Sequence, residues 1–544
     1  MNSVRDTLLE FVSDSKNEFN KYHEGCELSH FEKRKQDLLQ IPSQYARYLN
    51  LDYDVKKEYE KRKREISEAK EALKRFLNAT NDEVRLRKAE EFADFALSIV
   101  DMRDSGYFRR ALLRREVTGD IDYLKQRDHA AHTVNNYLLG WYIFDQSTVV
   151  QDQLHEQFIR RFGNSFQICS LPGCSQSSSK KEQTAKCFGD AWHFTSLLHD
   201  IGYLFEGILP VLSTEVKNDR VKRGAEIVHE YFNHRFWLET KLDSQQARKT
   251  LSSFAEKRGG DGIAIPDFSV QSIAAVGDLL CSTGDVSPIV ERMDDKSVLA
   301  GVKLSIDAFD LWFDHYSDYG RPQSSAHPNL MVKRIEHLKT AYRKLMFDGL
   351  PGTYDRLLDH GVCGGLLQLL YTTFFYRIYF YLPHHIDHID SNDFWTVVLW
   401  KFIKIDSMPP WYDYWADWWY KIILWATAAA ALHNFPQFFL NTKWPGCDEV
   451  LPPLSIEEDA LTYMGLLVDL LQEWDRYKVI PDTILGGKLP LQSNDVKLSA
   501  EYDLKRNKTI IIVDYEDVQK AKTVKDSLDG TLKDWRDIIR IEGL

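Results

Sequence analysis

The stretch Trp192-His193-Phe194-Thr195-Ser196-Leu197-Leu198-His199-Asp200-Ile201-Gly202-Tyr203 decides how this chain is read. Its apolar run has helical spacing, yet it carries an adjacent His-Asp pair. An ionised carboxylate inside an apolar helix is costly unless a cation or a polar partner compensates it. The pair therefore predicts either a buried polar network or a metal, on a helix expected over Thr184 to Phe205.

Upstream, Arg127-Asp128-His129-Ala130-Ala131-His132-Thr133 opens a second apolar helix, His129 to Phe144. His129 and His132 are three apart and share a face, and Asp128 is spaced to orient His132. A polar loop at Ser175 to Glu182 separates the two helices. Downstream, Asp359-His360-Gly361-Val362-Cys363-Gly364-Gly365 opens another apolar helix. The run Ala428-Ala429-Ala430-Ala431-Leu432-His433-Asn434 ends one in a histidine. In Leu466-Leu467-Val468-Asp469-Leu470-Leu471-Gln472-Glu473-Trp474 an aspartate sits within an apolar helix. Singly, each histidine reads as a satisfied core residue, and Asp469 as a solvated helix position. The ordered series His, His-Asp, His, His, Asp reads instead as imidazole and carboxylate donors for a first-row divalent metal.

The chain around these motifs is 544 residues long, 44% apolar and 28% charged, enough for several structural units and a sizeable core. Its formal net charge of −12 excludes binding of phosphate backbones by bulk charge. Seven cysteines without C-x-x-C spacing argue against a disulfide framework or a structural zinc finger, and fit a reducing cytosol. Residues 1–10 have no apolar signal core, and Leu366 to Leu382, interrupted by Gln368 and Arg377, reads as a buried helix. Residues 1–118 read as a helical region in which Val55 to Leu77 is a solvated or bundle-edge helix, followed by a helix over Glu83 to Val100. Helices are also expected near Arg223–Phe236, Ser269–Leu280 and Lys333–Met346. After a Pro/Gly-bearing linker from Ile480 to Asn494 the period changes. Val496 to Tyr502 and Thr509 to Val513 read as strands, and Tyr515 to Ile541 as a helix. Residues 495–544 are thus expected to form a small strand–strand–helix unit away from the histidine cluster.

With "HT" at His132, "HDIG" at His199, "DHG" at His360, "LHN" at His433 and "LLVDLLQEW" at Asp469, the sequence resembles the HD-domain superfamily of metal-dependent phosphohydrolases over roughly residues 120–480. The resemblance implies a mainly α fold. An HD-type helical core would be split into 119–206 and 351–480 by a helical insertion at 207–350, with the N-terminal helical region and a small C-terminal α/β appendage outside it. It implies one or two divalent metal ions (Mn, Fe, Mg, Co, Ni or Zn). His132, His199, Asp200 and Asp469 would hold the first, and His360 and His433, with Asp200 bridging, the second. It also implies hydrolysis of a phosphate ester or phosphodiester by metal-activated water, on a nucleotide or cyclic nucleotide. Asp200 would accept the water proton. His129 would donate to the leaving oxygen, contact a phosphate, or only support a ligand. Glu206 would order water or substrate, or form a surface ion pair, and Arg127 would hold a phosphate or pair with Asp128. Two rival readings are a single-strand nuclease component of a multi-protein system and a non-catalytic nucleotide-binding regulator.

The sequence departs from the pattern at two points. Tyr203 stands where a subset has lysine, and about 160 residues separate Asp200 from His360. His229 and His234 inside that gap are rivals to His360 as a ligand, but lack its small-residue neighbours. Other clusters carry less. His384-His385-Ile386-Asp387-His388 reads as a loop, and Trp411 to Tyr420 as packing rather than a base-stacking platform. Gly486-Gly487-Lys488 lacks phosphate-loop spacing, and Asp314-His315 has no partner series.

Overall fold

A computed structural model describes residues 2–25, 54–100, 106–118, 129–162, 179–204, 415–434, 452–475 and 491–543, with isolated positions at 28, 31–32, 35, 360–361, 364–365 and 368. The interior of the expected insertion at 207–350 and its three helices lie outside the described residues. Among the described residues 72% are helical, so the chain is mainly α.

The helices are α1 (Val4–Ser13), α2 (Glu18–Glu24), α3 (Val55–Leu77), α4 (Asp82–Ile99), α5 (Gly106–Thr118), α6 (His129–Gln146), α7 (Thr148–Phe162), α8 (Lys180–Leu197), α9 (Trp415–Leu432), α10 (Ala460–Leu471) and α11 (Val518–Thr531). Helix α3 lies at the edge: Ile66, Ala69, Leu73 and Phe76 recur at helical spacing and are buried, while its many charges face out. Helix α6 is buried from His129 through Phe144, so its polar side chains must find partners inside the protein. Against α6 packs α8, which also touches α7, α2 and α9, and α10 closes the group against α9 and α6.

Side chains fix where these helices begin. A reciprocal capping box starts α8, with Glu182 N–H donating to Ser179 Oγ (3.2 Å) and Ser179 N–H donating to Glu182 Oε2 (3.1 Å). Asp459, fully buried, caps α10 by accepting from Thr462 N–H at 2.9 Å. It also accepts from Trp425 Nε1 at 3.0 Å and pairs with Arg161 at 3.4 Å, which ties the start of α10 to α9 and α7.

The small sheet has the order β1 (Asn2–Ser3), β2 (Val496–Asp503), β3 (Lys508–Tyr515), β4 (Ile539–Gly543). β2 and β3 are the two expected strands, and they pair antiparallel with Val496 opposite Tyr515. The expected helix from Tyr515 to Ile541 is corrected: α11 ends at Thr531, Asp534 takes a left-handed conformation (φ 56°), and Ile539 to Gly543 run as a strand parallel to β3. The β-branched residues Ile538, Ile539 and Ile541 bury better on a pleated surface than on an exposed helix face, and they are buried here. The unit is therefore β–β–α–β, and β1 at the other end of the chain adds a strand to it.

Nor does this unit stand away from the histidine cluster. Tyr515 Oη donates to Leu471 O at 2.6 Å, two residues beyond Asp469, and Lys520 pairs with Glu473 at 2.6 Å. Its apolar residues join one core with the helices. Cys187 is buried with a free thiol. Among the described residues no helix is long and apolar enough to cross a membrane.

Candidate metal centre

The His-Asp doublet is not in the interior of a helix as the sequence suggests. Helix α8 stops at Leu197, and His199–Leu204 forms a 3-10 turn. The last carbonyls of α8 are taken by side chains instead of a further turn. Arg109 donates to Leu197 O, Gln368 Nε2 donates to Leu198 O at 2.8 Å, and His199 Nδ1–H donates to Ser196 O at 2.7 Å. Arg109, itself buried, also pairs with Glu90 (2.9 Å) and donates to Thr133 Oγ1 (2.6 Å), so one guanidinium joins α4, α6 and the end of α8.

The turn lies hard against the backbone around His360. A Cβ on Gly202 would collide with His360 O, and one on Gly364 would stand 2.8 Å from His199 O. Only glycine permits this approach, which places His199, Asp200 and His360 side by side. Tyr203 stacks on the His360 ring (centroids 3.9 Å apart, 12° between planes) and contacts the His129 ring at 4.1 Å.

Six side chains from distant parts of the chain meet here: His132 from α6, His199 and Asp200 from the turn, His360, His433 just past α9, and Asp469 from α10. His132 Nε2 is 2.8 Å from Asp469 Oδ1 and 3.8 Å from Asp200 Oδ2. Asp200 Oδ1 is 3.3 Å from His199 Nε2, 3.7 Å from His433 Nε2 and 3.8 Å from His360 Nε2. The two oxygens of Asp200 thus face opposite sides of the cluster. His199 Nε2 lies 4.0 Å from Asp469 Oδ1, so His199 belongs to both of two compact donor groups, His132–His199–Asp469 and His199–Asp200–His433. The motifs point to Asp200 as the shared residue and give no sign of this double membership of His199.

Three of the imidazoles are anchored alike. Nδ1–H of His132 donates to Gln472 Oε1, that of His199 to Ser196 O, and that of His433 to Ala430 O. The Gln472 amide is fixed in this sense because its Nε2 donates to Trp474 O, which can only accept. With Nδ1 carrying the proton, each Nε2 presents a lone pair inward. His199 Nε2 is buried without a hydrogen-bond partner among the described residues.

Burial pushes the His199 imidazole down to about 3, with Asp200 opposing the shift, and burial followed by His360 also pushes His433 down. For Asp200, burial opposes the charge, but His199, His129, His132 and His360 outweigh it and hold the carboxyl below the ordinary carboxylate range. At neutral pH His199 and His433 are therefore neutral imidazoles that face the Asp200 carboxylate. His132 Nε2 and Asp469 Oδ1, both acceptors, meet at 2.8 Å, a contact that calls for a cation or a proton between them. The residues therefore fit a divalent metal.

Among the remaining candidates, His129 is buried beside Tyr203, one side of the cluster. Arg127, Asp128, Glu206, His229, His234, Asp314, His315, His384, His385, Asp387, His388, Gly486, Gly487 and Lys488 lie outside the described residues, as do 411–414 of the aromatic cluster. Three further residues belong to the site. Gln472 stands in the "LLQEW" motif, three residues after Asp469 and so on the same helical face. Asn136 stands four residues after His132, and Tyr203 marks itself in the sequence only as a missing lysine. No family model, no curated protein and no solved structure matches this chain.

Proposed function

We propose that the chain is an HD-type, metal-dependent phosphohydrolase that cleaves a phosphate ester or phosphodiester of a nucleotide-like substrate, and that it works in the cytoplasm. One observation carries the reading: His132, its Nδ1–H committed to Gln472, turns its Nε2 lone pair onto the Asp469 carboxylate at 2.8 Å, within a cluster that also holds His199 and Asp200. Uncharged structural cores do not set acceptor against acceptor; divalent-metal sites do.

His132, His199 and Asp469 would hold one cation, and Asp200, His360 and His433 a second. A bound divalent cation supplies Lewis-acid charge at a phosphoryl oxygen and makes water a nucleophile near neutral pH. The protein's own part is positional. Asp200, kept anionic, is an available acceptor for a proton from water. His129, in contact with Tyr203 and close enough to act on the Asp200 charge, would protonate a leaving oxygen. Gln472, Ser196 and Ala430 hold the ring orientations. The nucleotide preference rests on the resemblance alone, because a fold does not fix a substrate.

The test is a screen on the full chain, stripped by chelator and reloaded with Mn2+, Fe2+, Co2+, Ni2+, Mg2+ or Zn2+. The substrates are bis(p-nitrophenyl) phosphate, nucleotides, cyclic nucleotides and single-stranded oligonucleotides. Metal-dependent hydrolysis supports the reading, seen as p-nitrophenol from the diester, a nucleoside monophosphate from a cyclic nucleotide or phosphate from a monoester, and oligonucleotide cleavage alone would support the nuclease. Metal binding without any turnover would support a non-catalytic nucleotide binder.

A further inference from the structure

Beyond the six side chains, Asn136 lies one turn after His132 on α6 and is 1% exposed. Its Nδ2 lies 3.1 Å from His132 Nε2 and 3.5 Å from Asp469 Oδ1, while its Oδ1 is buried without a hydrogen-bond partner among the described residues. A carboxamide that donates into a cluster of lone pairs and leaves its oxygen unmatched is set for the metal-free state. An NH2 group pointing at a cation would be repelled.

Building on the metal-dependent reading above, we propose that Asn136 supplies its amide oxygen to the cation held by His132, His199 and Asp469. A half-turn of the carboxamide, which changes no shape, brings Oδ1 to the place of Nδ2. The spacing suits a ligand. An ion with donors at ~2.0–2.2 Å separates neighbouring donor atoms by ~2.8–3.6 Å. The three atoms here are separated by 2.8, 3.1 and 3.5 Å. The half-turn leaves the count of unmatched amide atoms at one in both orientations, so it adds no new burial cost. An amide oxygen beside imidazoles and a carboxylate raises the coordination number. That suits Mn2+ or Fe2+ better than four-coordinate Zn2+.

The experiment is calorimetric titration of the chelator-stripped full chain with Mn2+, for wild type, Asn136→Asp and Asn136→Ala, with circular dichroism and thermal melts on each. An aspartate is nearly isosteric with asparagine and can only accept. If Asn136 is a ligand, the Asn136→Asp chain binds Mn2+ at least as tightly as wild type. It also melts lower without metal, because a second carboxylate then faces Asp469, and it gains more on loading. Asn136→Ala weakens Mn2+ binding ~10-fold or more. If Asn136 stays a donor to His132 Nε2, it competes with the cation for that lone pair, so Asn136→Ala binds Mn2+ more tightly than wild type, and that result overturns the proposal while the metal centre stands. Equal binding by Asn136→Ala overturns it as well. A wild-type chain that binds no Mn2+, nor any other cation of the series, overturns the metal-dependent reading itself.

Discussion

The Nε2 atoms of His360 and His433, 73 residues apart in sequence, lie 3.1 Å from each other and within 3.8 Å of the same oxygen of Asp200. Since His433 Nδ1–H is committed to Ala430 O, its Nε2 is a lone pair, and the two rings share either a proton or a cation. His433→Ala should therefore remove one cation and spare the other, which rests on His132, His199 and Asp469. Metal analysis of the full chain should fall from two ions to one. Loss of both, with the fold retained, would mean that the two groups are not separable.

Gln472 acts on the cluster without entering it. Gln472→Leu removes the acceptor of His132 Nδ1–H, so the ring is free to place its proton on Nε2, the atom that faces Asp469. Metal affinity should drop by ~10–100-fold with helix content unchanged. Gln472→Glu, which keeps an acceptor, should retain most of it. Titration with Mn2+ followed by calorimetry distinguishes the two variants.

How much of this is legible in the sequence follows from the kind of signal each residue gives. His132, His199, Asp200, His360, His433 and Asp469 stand out because ionisable or imidazole groups on apolar helices need partners, and all six do meet. The helices α3, α6 and α10 follow from apolar periodicity. The end of α8 does not, because the side chains that donate to the carbonyls of Leu197 and Leu198, Arg109 and Gln368, are remote in sequence. β4 is hidden because Ile539 and Ile541 follow a helix without a proline to mark the break, and β1 because two residues carry no period. Gln472, just past the end of α10, and Asn136, on α6, are ordinary polar residues, and only their distances to His132 reveal them.

Gly202 tests whether the turn must lie where it does. A methyl group there would run into the His360 carbonyl, and a backbone cannot yield as a side chain can. Gly202→Ala should lower stability by at least ~1–3 kcal/mol, the usual cost of overpacking. It should also lose the cation at His360 and His433 before the one at His132. Thermal melts with and without Mn2+ would show both effects; an unchanged melt would contradict the close approach.

A second buried network predicts acid lability away from the metal centre. Tyr137 Oη lies 3.0 Å from both His23 Nε2 and His193 Nε2. Burial pushes His23 down to about 3 and His193 down to about 4, from an ordinary 6.5. The unfolded chain therefore binds these protons at a higher pH than the folded one. Their contribution to stability is complete above about 6.5 and is lost as pH falls from there toward 4, at about 1.4 kcal/mol per pH unit for each ring. His193→Asn should flatten the slope of unfolding free energy between those limits, measured by urea melts. A slope equal to wild type would refute the assignment.

The most direct measurement compares Asp200→Asn with wild type for bound metal per chain and for phosphoester hydrolysis, with circular dichroism as the control for folding. Asn keeps the size of the side chain and removes the charge that faces His132 on one side and His199, His360 and His433 on the other. The account predicts at least one divalent ion per wild-type chain, a clear loss of metal in the variant, no turnover, and an unchanged fold. A wild-type chain without metal under all loading conditions, or an Asp200→Asn chain that hydrolyses substrate at the wild-type rate, would contradict it.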